Sequence, residues 1–260
     1  MSTQEWPAED YAIGSYIQNS IADNYLQYLT IKPTDRVLDI GCGNGAFSSK
    51  VIDKIPQGLF LGIDTSENML KLARKEMANY PNASWQKGNV LTMEFNQQFD
   101  YIVSFWCLQW CLSDIETAFQ NIYHALKPDG KVLTIFPSGD DPFVTSYSKV
   151  KASGEFNSLN NFKPVAVDQY EFVRMQERIA LLPFKQIKIE RVKHKLLLPS
   201  LDIFRKFVNG IAFFQGQIPT EEIAAINEAI VRVYKQECEE KYQGEYWFIL
   251  SIYVITAEKW

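Results

Sequence analysis

The stretch Arg36-Val37-Leu38-Asp39-Ile40-Gly41-Cys42-Gly43-Asn44-Gly45-Ala46-Phe47 has the pattern of a buried strand that runs into a tight turn and then into a helix. Three glycines at alternate positions supply backbone that adopts positive φ easily or passes close to a ligand. The unpaired N–H groups of a helix N-terminus face the same place. The stretch therefore predicts a ligand-binding loop, and the rest of the chain must decide which ligand it binds.

Strand and helix patterns alternate around this loop. The first helix is predicted at residues 9–30, where apolar side chains recur three and four positions apart. Strands are predicted at 36–40, 59–63, 83–86, 99–105 and 131–136, with helical patterns between them, including one at 113–126. Such alternation with short connections is typical of a parallel sheet that carries helices on both faces.

The second half of the chain has a less regular pattern. Residues 137–164 are rich in polar and aromatic side chains and show only weak periodicity. The segments that follow are predicted as a helix at 167–181, a strand at 184–198, helices at 200–213 and 219–239, and a final strand at 246–257.

The composition excludes several classes of protein. The chain has 260 residues, 47% of them hydrophobic and 14% aromatic, which is enough for a large core. Its net charge is -5 and it has no long basic block, so we expect no nucleic-acid partner. The cysteines lack the paired spacing of a zinc site, so no metal is expected, and they are predicted to be reduced thiols: Cys42, Cys107, Cys111 and Cys238. No signal sequence and no apolar run of ~18 residues is present, which predicts a cytoplasmic protein without a membrane span.

Three nucleotide ligands compete for the glycine loop. A dinucleotide fingerprint needs G-x-G-x-x-G, whereas this loop reads G-x-G-x-G and continues with Ala46 and Phe47. A phosphate-binding P-loop needs a Gly-Lys-Ser/Thr ending, which is absent. Asp39 stands directly before the loop, where its charge repels a pyrophosphate but suits a cationic ligand. This charge favours S-adenosylmethionine, which carries a sulfonium and an amino group.

Ordered motifs support this choice. Val37–Gly45 resembles motif I of the Rossmann-like (class I) S-adenosylmethionine-dependent methyltransferases, and Gly62–Leu70 is similar to the second motif of that family. Phe99–Ser104 resembles its fourth-strand motif, and Leu126–Lys131 resembles the turn before its fifth strand. The resemblance covers about 100 residues in the family's order and implies that the chain is a methyltransferase.

A narrower resemblance concerns one group within this family. Ser104–Trp110 together with Phe119–Ile122 resembles the methyltransferases of juvenile hormone acid, trans-aconitate and malonyl-carrier protein. The resemblance implies an α/β, doubly wound, seven-stranded and mostly parallel sheet in the order 3-2-1-4-5-7-6, with the last strand antiparallel. It also implies three parts of the chain. Residues 1–30 would form an N-terminal helical cap. The Rossmann-like core would consist of 31–137, 165–198 and 245–260, and helical cap insertions on the substrate side would consist of 138–164 and 199–244.

The resemblance also implies the residues that bind the cofactor. In this sequence they are Asp39, Gly41, Cys42, Gly43, Gly45, Asp64, Thr65, Met69, Asn89, Val90, Ser104 and Phe105. Asp39 would hold the amino end, and the two oxygens of Asp64 would accept hydrogen bonds from both ribose hydroxyls. Thr65 and Met69 would flank adenine. Asn89 stands where many family members have Asp, and it also fits a plain turn.

The acceptor side is expected to use side chains of the first helix and of the segment after the fourth strand: Gln18, Trp106, Gln109 and Trp110. Gln18 matches a glutamine near the active site of the acid-methylating relatives, and relatives commonly have His in place of Gln109. Both histidines, His124 and His194, fit packing or exposed positions, so no basic catalyst is evident. A carboxylate is already ionised and needs no base, which favours a carboxylic acid as acceptor.

Other functions remain open from the sequence. The acceptor is predicted to be a small molecule, including a carrier-bound acid, but an N- or O-methyltransferase on another metabolite fits as well. A non-catalytic S-adenosylmethionine-binding or scaffold protein is a further alternative, and an oxidoreductase a distant one. Apolar side chains between Ile203 and Phe214 form a helical stripe that predicts packing onto the core, a wall for an apolar acceptor, or both.

Overall fold

The computed structural model describes residues 15–164 and 167–260. In the interior of its sheet lies β1 (Arg36–Ile40), which is buried from its second residue onward. It pairs in parallel with β2 (Leu59–Asp64) on one side and with β4 (Phe99–Phe105) on the other. β3 (Ala83–Lys87) extends the sheet beyond β2, also in parallel. The glycine loop therefore follows an interior strand of the sheet, next to its middle strand β4.

The remaining strands complete the other half of the sheet. β5 (Leu126–Pro137) runs parallel to β4, and β7 (Trp247–Glu258) lies antiparallel between β5 and β6 (Gln186–Leu197). Over the described residues the sheet has seven strands in the order β3-β2-β1-β4-β5-β7-β6. The predicted fold class, with its strand order and antiparallel last strand, is confirmed.

Helices cover both faces of the sheet. They are α1 (Tyr16–Ala22), α2 (Ser48–Ile52), α3 (Glu67–Glu76), α4 (Ile115–Ala125), α5 (Pro142–Ser153), α6 (Gln169–Ala180), α7 (Leu201–Gly210) and α8 (Thr220–Tyr242). Successive strand side chains point to opposite faces, so Val37 belongs to the core with α1, α5, α7 and α8, while Leu38 belongs to the core with α4 and α6. None of the described helices is long and apolar enough to cross a membrane.

Helix bounds differ from the predictions, by three residues at the end of the helices predicted at 200–213 and 219–239, and in two other helices a 3₁₀ helix takes part of the predicted range. The helix predicted at 9–30 is α-helical over Tyr16–Ala22 and continues as a 3₁₀ helix over Asp23–Tyr28, while residues 9–14 lie outside the described residues. The helix predicted at 113–126 is preceded by a 3₁₀ segment, Leu108–Asp114, and α4 ends at Ala125. The apolar spacing is similar in both kinds of helix, so it did not distinguish the tighter turns.

The helix α5 was not predicted individually, because residues 137–164 show weak periodicity. Its start and end follow from local signals instead. Asp141 caps its N-terminus through two backbone N–H groups, Pro142 takes the first helical position, and Gly154 ends it with φ +72°. The helix packs mainly on α8, and Phe143 lies edge-on to Phe213, with 4.9 Å between ring centroids.

Candidate functional site

The glycine loop is held by backbone contacts that require glycine at two positions. Gly41 and Gly45 have φ of +74° and +79°, and a Cβ on Gly41 would lie 2.4 Å from the Cβ and Sγ of Cys107. A Cβ on Gly45 would come within 3.0 Å of the indole of Trp85. The N–H groups of Gly41 and Cys42 both donate to the carbonyl of Ile63, at 2.8 and 3.1 Å. Close packing against β2, β3 and the segment after β4 therefore explains these glycines.

Asp64 lies directly beside this loop, at the end of β2. Its Oδ2 accepts a hydrogen bond from the N–H of Gly43 at 3.0 Å, and its Oδ1 accepts one from the N–H of Ser66 at 2.8 Å. The Ser66 hydroxyl in turn caps α3 by accepting from the N–H of Met69. The carboxylate is thus fixed in orientation at the edge of the loop.

Asp39 is a buried acid under the loop, with 2% of its surface exposed. Burial is the main cause that raises its pKa to about 7; the hydroxyl of Ser48, which donates to Oδ2 at 2.6 Å, opposes the rise, and the charge of Asp64 adds to it. A buried carboxylate is stabilised by a cationic partner. The donor and charge pattern around the loop therefore fits the ammonium group of S-adenosylmethionine.

Residues predicted to surround adenine already have roles within the protein. Met69 and Val90 are 3% and 1% exposed, whereas Thr65 is partly exposed. The side-chain oxygen of Asn89 accepts a hydrogen bond from the N–H of Leu91 at 3.0 Å, which is a local turn contact. These contacts explain the residue types without a ligand, so their contact with adenine stays a prediction.

The end of β4 joins the loop from the other side. The hydroxyl of Ser104 is fully buried and donates to the carbonyl of Ile40 at 2.8 Å, which ties β4 to β1 just before the glycines. The ring of Phe105 packs against that of Phe47, with 4.2 Å between ring centroids. Ser104 thus fixes the two strands, and Phe105 helps to cover the loop.

A cavity of about 430 Å³ opens above the loop. Its described lining residues are Ser15, Gln18, Asn19, Ala22, Asp39, Gly41, Cys42, Gly43, Asn44, Ala46, Phe47, Phe105 and Trp106. It brings together seven of the residues predicted for the site, including Asp39, two of the glycines and Gln18. The other predicted cofactor residues lie outside this lining: Gly45, Asp64, Thr65, Met69, Asn89, Val90 and Ser104.

A second cavity, of about 660 Å³, lies between the sheet and the helices α1, α5 and α7. All four residues predicted for the acceptor belong to its lining, which consists of Ile17, Gln18, Trp106, Gln109, Trp110, Pro137, Asp141, Phe143, Val144, Val167, Phe207, Ile211, Phe213, Phe248 and Leu250. Most of these side chains are apolar, and Asp141 is the one ionisable side chain among them in the described part of the chain.

Gln18 and Trp106 belong to the lining of both cavities. Trp106 has φ +59°, a left-handed conformation that costs an ordinary residue about 1–2 kcal/mol. Its N–H donates to the carbonyl of Ile135 at 2.9 Å, and its indole Nε1–H donates to the carbonyl of Gln18 at 3.1 Å. These two bonds hold the indole against α1, so the boundary between the cavities is fixed.

Sequence reasoning missed Asp141, a buried acid in the second cavity. Burial raises its pKa to about 6, although the N–H groups of Phe143 and Val144 lower it by donating to Oδ1. The sequence carried a signal for it, since an acid followed by proline indicates a helix N-cap. Its position in the cavity depends on α5, which the sequence did not reveal.

Comparison with known proteins identifies the family. Residues 37–130 match a family model described as a methyltransferase domain. The juvenile hormone acid O-methyltransferase of Bombyx mori is 26% identical over 78% of this chain and 74% of its own length. The malonyl-[acyl-carrier protein] O-methyltransferase of Priestia megaterium is 27% identical over 72% of this chain and 70% of its own. A putative methyltransferase, 235L, of Invertebrate iridescent virus 6 is 26% identical over 71% and 70% of the two chains.

Solved structures share the fold. The YcgJ protein of Bacillus subtilis covers 94% of this chain and 98% of its own, with a TM-score of 0.60 and 17% identity. The phosphoethanolamine N-methyltransferase 2 of Haemonchus contortus, solved with S-adenosyl-L-methionine, covers 94% of this chain and 52% of its own, with a TM-score of 0.57 and 20% identity. These two structures share the fold of the chain. The methyltransferase-domain match and the methyltransferases among its relatives show that the chain is an S-adenosylmethionine-dependent methyltransferase.

Proposed function

We propose that the chain transfers the methyl group of S-adenosylmethionine to the carboxylate of a small acid with an apolar body, which yields a methyl ester. The observation that carries this proposal is the junction of the two cavities at Gln18 and Trp106. One cavity has a buried acid and the glycine loop, as a cationic cofactor requires. The other has a mainly apolar lining, which suits the body of an organic acid.

On the cofactor side, the residues fit the parts of the bound molecule. S-adenosylmethionine supplies a methyl group that its sulfonium has already activated. The carboxylate of Asp39 would hold the ammonium group, since burial leaves that charge in need of a cation. Asp64, oriented by the N–H groups of Gly43 and Ser66, would accept from the ribose hydroxyls. The glycine loop would bring its backbone against the ligand.

On the acceptor side, the cavity supplies orientation and not a strong base. A carboxylate is ionised at neutral pH, so it attacks without losing a proton. The amide Nε2 of Gln18 would donate to one carboxylate oxygen and aim the other at the methyl group. Positioning of this kind contributes up to ~7–11 kcal/mol to catalysis. His194 is not in the described lining; its Nε2 lies 2.8 Å from the hydroxyl of Tyr25.

The names of two relatives, the juvenile hormone acid and malonyl-carrier-protein methyltransferases, support a carboxylate acceptor. The described lining also has no lysine or arginine, which disfavours acceptors with a phosphate or a second carboxylate. For this reason we give little weight to the phosphoethanolamine N-methyltransferase 2 of Caenorhabditis elegans, which is 32% identical over 63% of this chain and 38% of its own.

A second candidate is methyl transfer to a hydroxyl or amine. Asp141 favours it, because a buried carboxylate with a pKa of about 6 is able to accept a proton from such a group at neutral pH. A carrier-bound acid is a variant of the leading proposal. The two candidates differ in product, since only a methyl ester is cleaved by mild base.

We also propose that residues 138–164 and 199–244 form the substrate-side cap, together with residues up to 30, and that 31–137, 165–198 and 245–260 form the core. The second cavity supports this division. α5 contributes Phe143 to its wall, α7 contributes Phe207, and the segment after α7 contributes Phe213. These rings lie in edge-to-face contact, with Phe143 at 6.3 Å from Phe207 and 4.9 Å from Phe213.

A panel of acids tests the acceptor class. The purified chain is incubated with methyl-labelled cofactor and with fatty, dicarboxylic and carrier-bound acids, and base-labile label is counted. We expect methyl esters from apolar monocarboxylic acids, and a loss of roughly 10-fold or more in kcat for Gln18→Leu. Gln27→Leu, at an exposed glutamine of the 3₁₀ helix that follows α1, is the control. Absence of base-labile product from every acid would overturn the carboxylate proposal.

A further inference from the structure

Gln109 and Asp141 line the second cavity, and each keeps one side-chain oxygen that has no hydrogen-bond donor among the described residues. We propose that Asp141 and Gln109 form a polar subsite that binds a hydroxyl or amino group of the acceptor, at a different position from the group that is methylated. The proposal rests on the assignment of this cavity to the acceptor, but not on which atom receives the methyl group. It makes Asp141 and Gln109 determinants of specificity.

Gln109 supplies the first hydrogen-bond acceptor of the subsite. The side chain is only 5% exposed, and its Nε2 donates to the carbonyl of Trp106 at 2.9 Å. This bond sets the orientation of the amide, which leaves Oε1 as the buried atom with no partner among the described residues. A buried unpaired acceptor is costly for a folded protein. Because Gln109 also lines the cavity, a hydrogen-bond donor on the bound substrate would relieve this cost.

Asp141 supplies the second hydrogen-bond acceptor of the subsite. Its Oδ1 accepts both capping bonds of α5, from the N–H groups of Phe143 and Val144, at 2.9 and 3.1 Å. Capping uses one oxygen, and within residues 15–164 and 167–260 no hydrogen bond to Oδ2 is present. The side chain is 7% exposed and lies in the cavity wall. The acid therefore retains a charged oxygen at the cavity, beyond what the helix cap requires.

Within the described residues, the nearby cation Arg191 is paired with Asp140 and not with Asp141. Arg191 donates to the neighbouring acid, Asp140, at 2.8 Å. Asp140 also accepts from the hydroxyl of Ser138 at 3.0 Å and from the N–H of Ser251 at 2.9 Å. This network ties the loop before α5 to β6 and β7, so the Asp141 carboxylate is held at the cavity by a rigid support. Such preorganisation is expected where a side chain selects a ligand.

The subsite narrows the class of acceptor. A pure hydrocarbon tail would leave Gln109 Oε1 and Asp141 Oδ2 unpaired, and a second carboxylate would be repelled by them. A hydroxyl is able to donate a hydrogen bond to one of these two oxygens, and an amine or an ammonium group, with more than one N–H, is able to donate to both. With the proposed carboxylate methylation, the acceptor is an apolar acid that also carries a hydroxyl or amino group.

Three probes with the same number of non-hydrogen atoms test this subsite without turnover: octylamine, octanol and heptyl methyl ether. The first two donate hydrogen bonds, and the ether only accepts them. Calorimetry on the full chain saturated with S-adenosylhomocysteine gives their dissociation constants. We expect octylamine and octanol to bind roughly 10-fold or more tightly than the ether. Equal affinities for the three probes would overturn the proposal.

Two variants test whether Asp141 and Gln109 cause the preference for probes that donate hydrogen bonds. Asp141→Asn keeps the helix cap, because asparagine caps as well as aspartate, but it places a donor where Oδ2 was. Asp168→Asn is the matched control, since Asp168 is an exposed acid that caps α6 through the N–H of Tyr170. We expect the ratio of octylamine affinity to ether affinity to fall at least 10-fold in Asp141→Asn and to stay unchanged in Asp168→Asn.

Gln109→Met is the second variant and decides the matter if Asp141→Asn does not fold. It removes Oε1 with little change in volume, so the preference for octanol over the ether should fall several-fold. If both variants keep the wild-type ratios, the subsite is wrong. If no acid is methylated but the donor preference persists and depends on Asp141, the carboxylate proposal fails and the subsite stands.

Discussion

The two cavities that meet at Gln18 and Trp106 satisfy their polar groups in different ways. In the cofactor cavity and beside it, the acids have donors within the protein: Asp39 accepts from Ser48, and Asp64 accepts from two backbone N–H groups. In the acceptor cavity, Gln109 Oε1 is buried without a partner among the described residues, and so is Gln18 Oε1 at the junction of the two cavities. The first cavity is therefore organised before its ligand binds, whereas the second is completed by its ligand.

This difference predicts different consequences of mutation. Substitutions around the glycine loop should weaken cofactor binding strongly, because they remove charge and preorganised bonds. Substitutions in the acceptor cavity should change turnover or acceptor affinity and leave cofactor binding unchanged.

The largest effect is expected for Asp64→Ala. The change removes the carboxylate that accepts from the N–H groups of Gly43 and Ser66 and that would bind the ribose. Hydrogen bonds to a charged group are worth about 1.5–3 kcal/mol each, so S-adenosylmethionine affinity should fall roughly 100-fold by calorimetry. The exposed acid Asp53, which accepts from the hydroxyl of Tyr80, provides the control Asp53→Ala. Unchanged affinity in Asp64→Ala would show that the ribose assignment is wrong.

The next effect concerns the pH dependence of stability at Asp39. Its pKa in the folded protein is about 7, above the unfolded value of 3.8, so its protonation stabilises the fold at low pH. That stabilisation is fully present below pH 3.8 and is lost as the pH rises through 7. Between about pH 5 and 7.5 the site should lower the free energy of unfolding by roughly 2 kcal/mol.

Urea unfolding of the wild type and of Asp39→Asn measures this contribution. Asn cannot titrate, so the variant should show a flatter dependence of unfolding free energy on pH. Asp141 titrates in the same direction with a pKa of about 6, and its contribution is common to both proteins. A parallel pH dependence in the two proteins would mean that Asp39 is not the buried acid described here.

Trp106→Phe should have a smaller effect, confined to turnover. The phenyl ring keeps part of the cavity wall, but it cannot form the Nε1–H hydrogen bond to the carbonyl of Gln18. The hydrogen bond that links α1 to the segment after β4 is therefore lost. We expect kcat to fall roughly 10-fold, since the loss is one hydrogen bond at the junction, with cofactor affinity within about two-fold of the wild type. Trp260→Phe, at an exposed indole, is the control. A loss of cofactor affinity without a change in kcat would contradict this role.

The smallest effect is expected for Phe207→Leu in the apolar wall. Its ring contacts those of Phe143 and Phe248, at centroid distances of 6.3 and 5.4 Å, so a smaller side chain removes apolar contact from the acceptor. The KM of an apolar acceptor should rise several-fold, with little change in kcat. Phe184→Leu makes the same change on the other face of the sheet and should leave the KM unaltered.

The cofactor side was predictable from the sequence because its parts are short and continuous. The strand, the loop and Asp64 lie within a few dozen residues, and their order along the chain sets their positions in the sheet. The acceptor side joins residues that are distant in sequence. Gln18 and Trp106 are 88 residues apart, and their hydrogen bond depends on a left-handed tryptophan that no local pattern indicates.

Asp141 shows the same limit in another form. Its role as a helix cap is written in the sequence, because proline follows it, yet its place in a cavity depends on how α5 and α7 pack. For Met69, Val90 and Asn89 the sequence suggested a role that the structure does not require. The resemblance gives them roles toward adenine, but burial and a local turn explain the residue types equally well.

We propose that one methyl-transfer path crosses the junction at Gln18 and Trp106. A crystal structure of the chain with S-adenosylhomocysteine and octanoate tests this path. We expect the amino group of S-adenosylhomocysteine beside Asp39 and the octanoate carboxylate within hydrogen-bonding distance of the Gln18 amide, with its chain among the phenylalanines of the second cavity. An octanoate bound outside this cavity, or a cofactor amino group away from Asp39, would show that the path does not run through the junction.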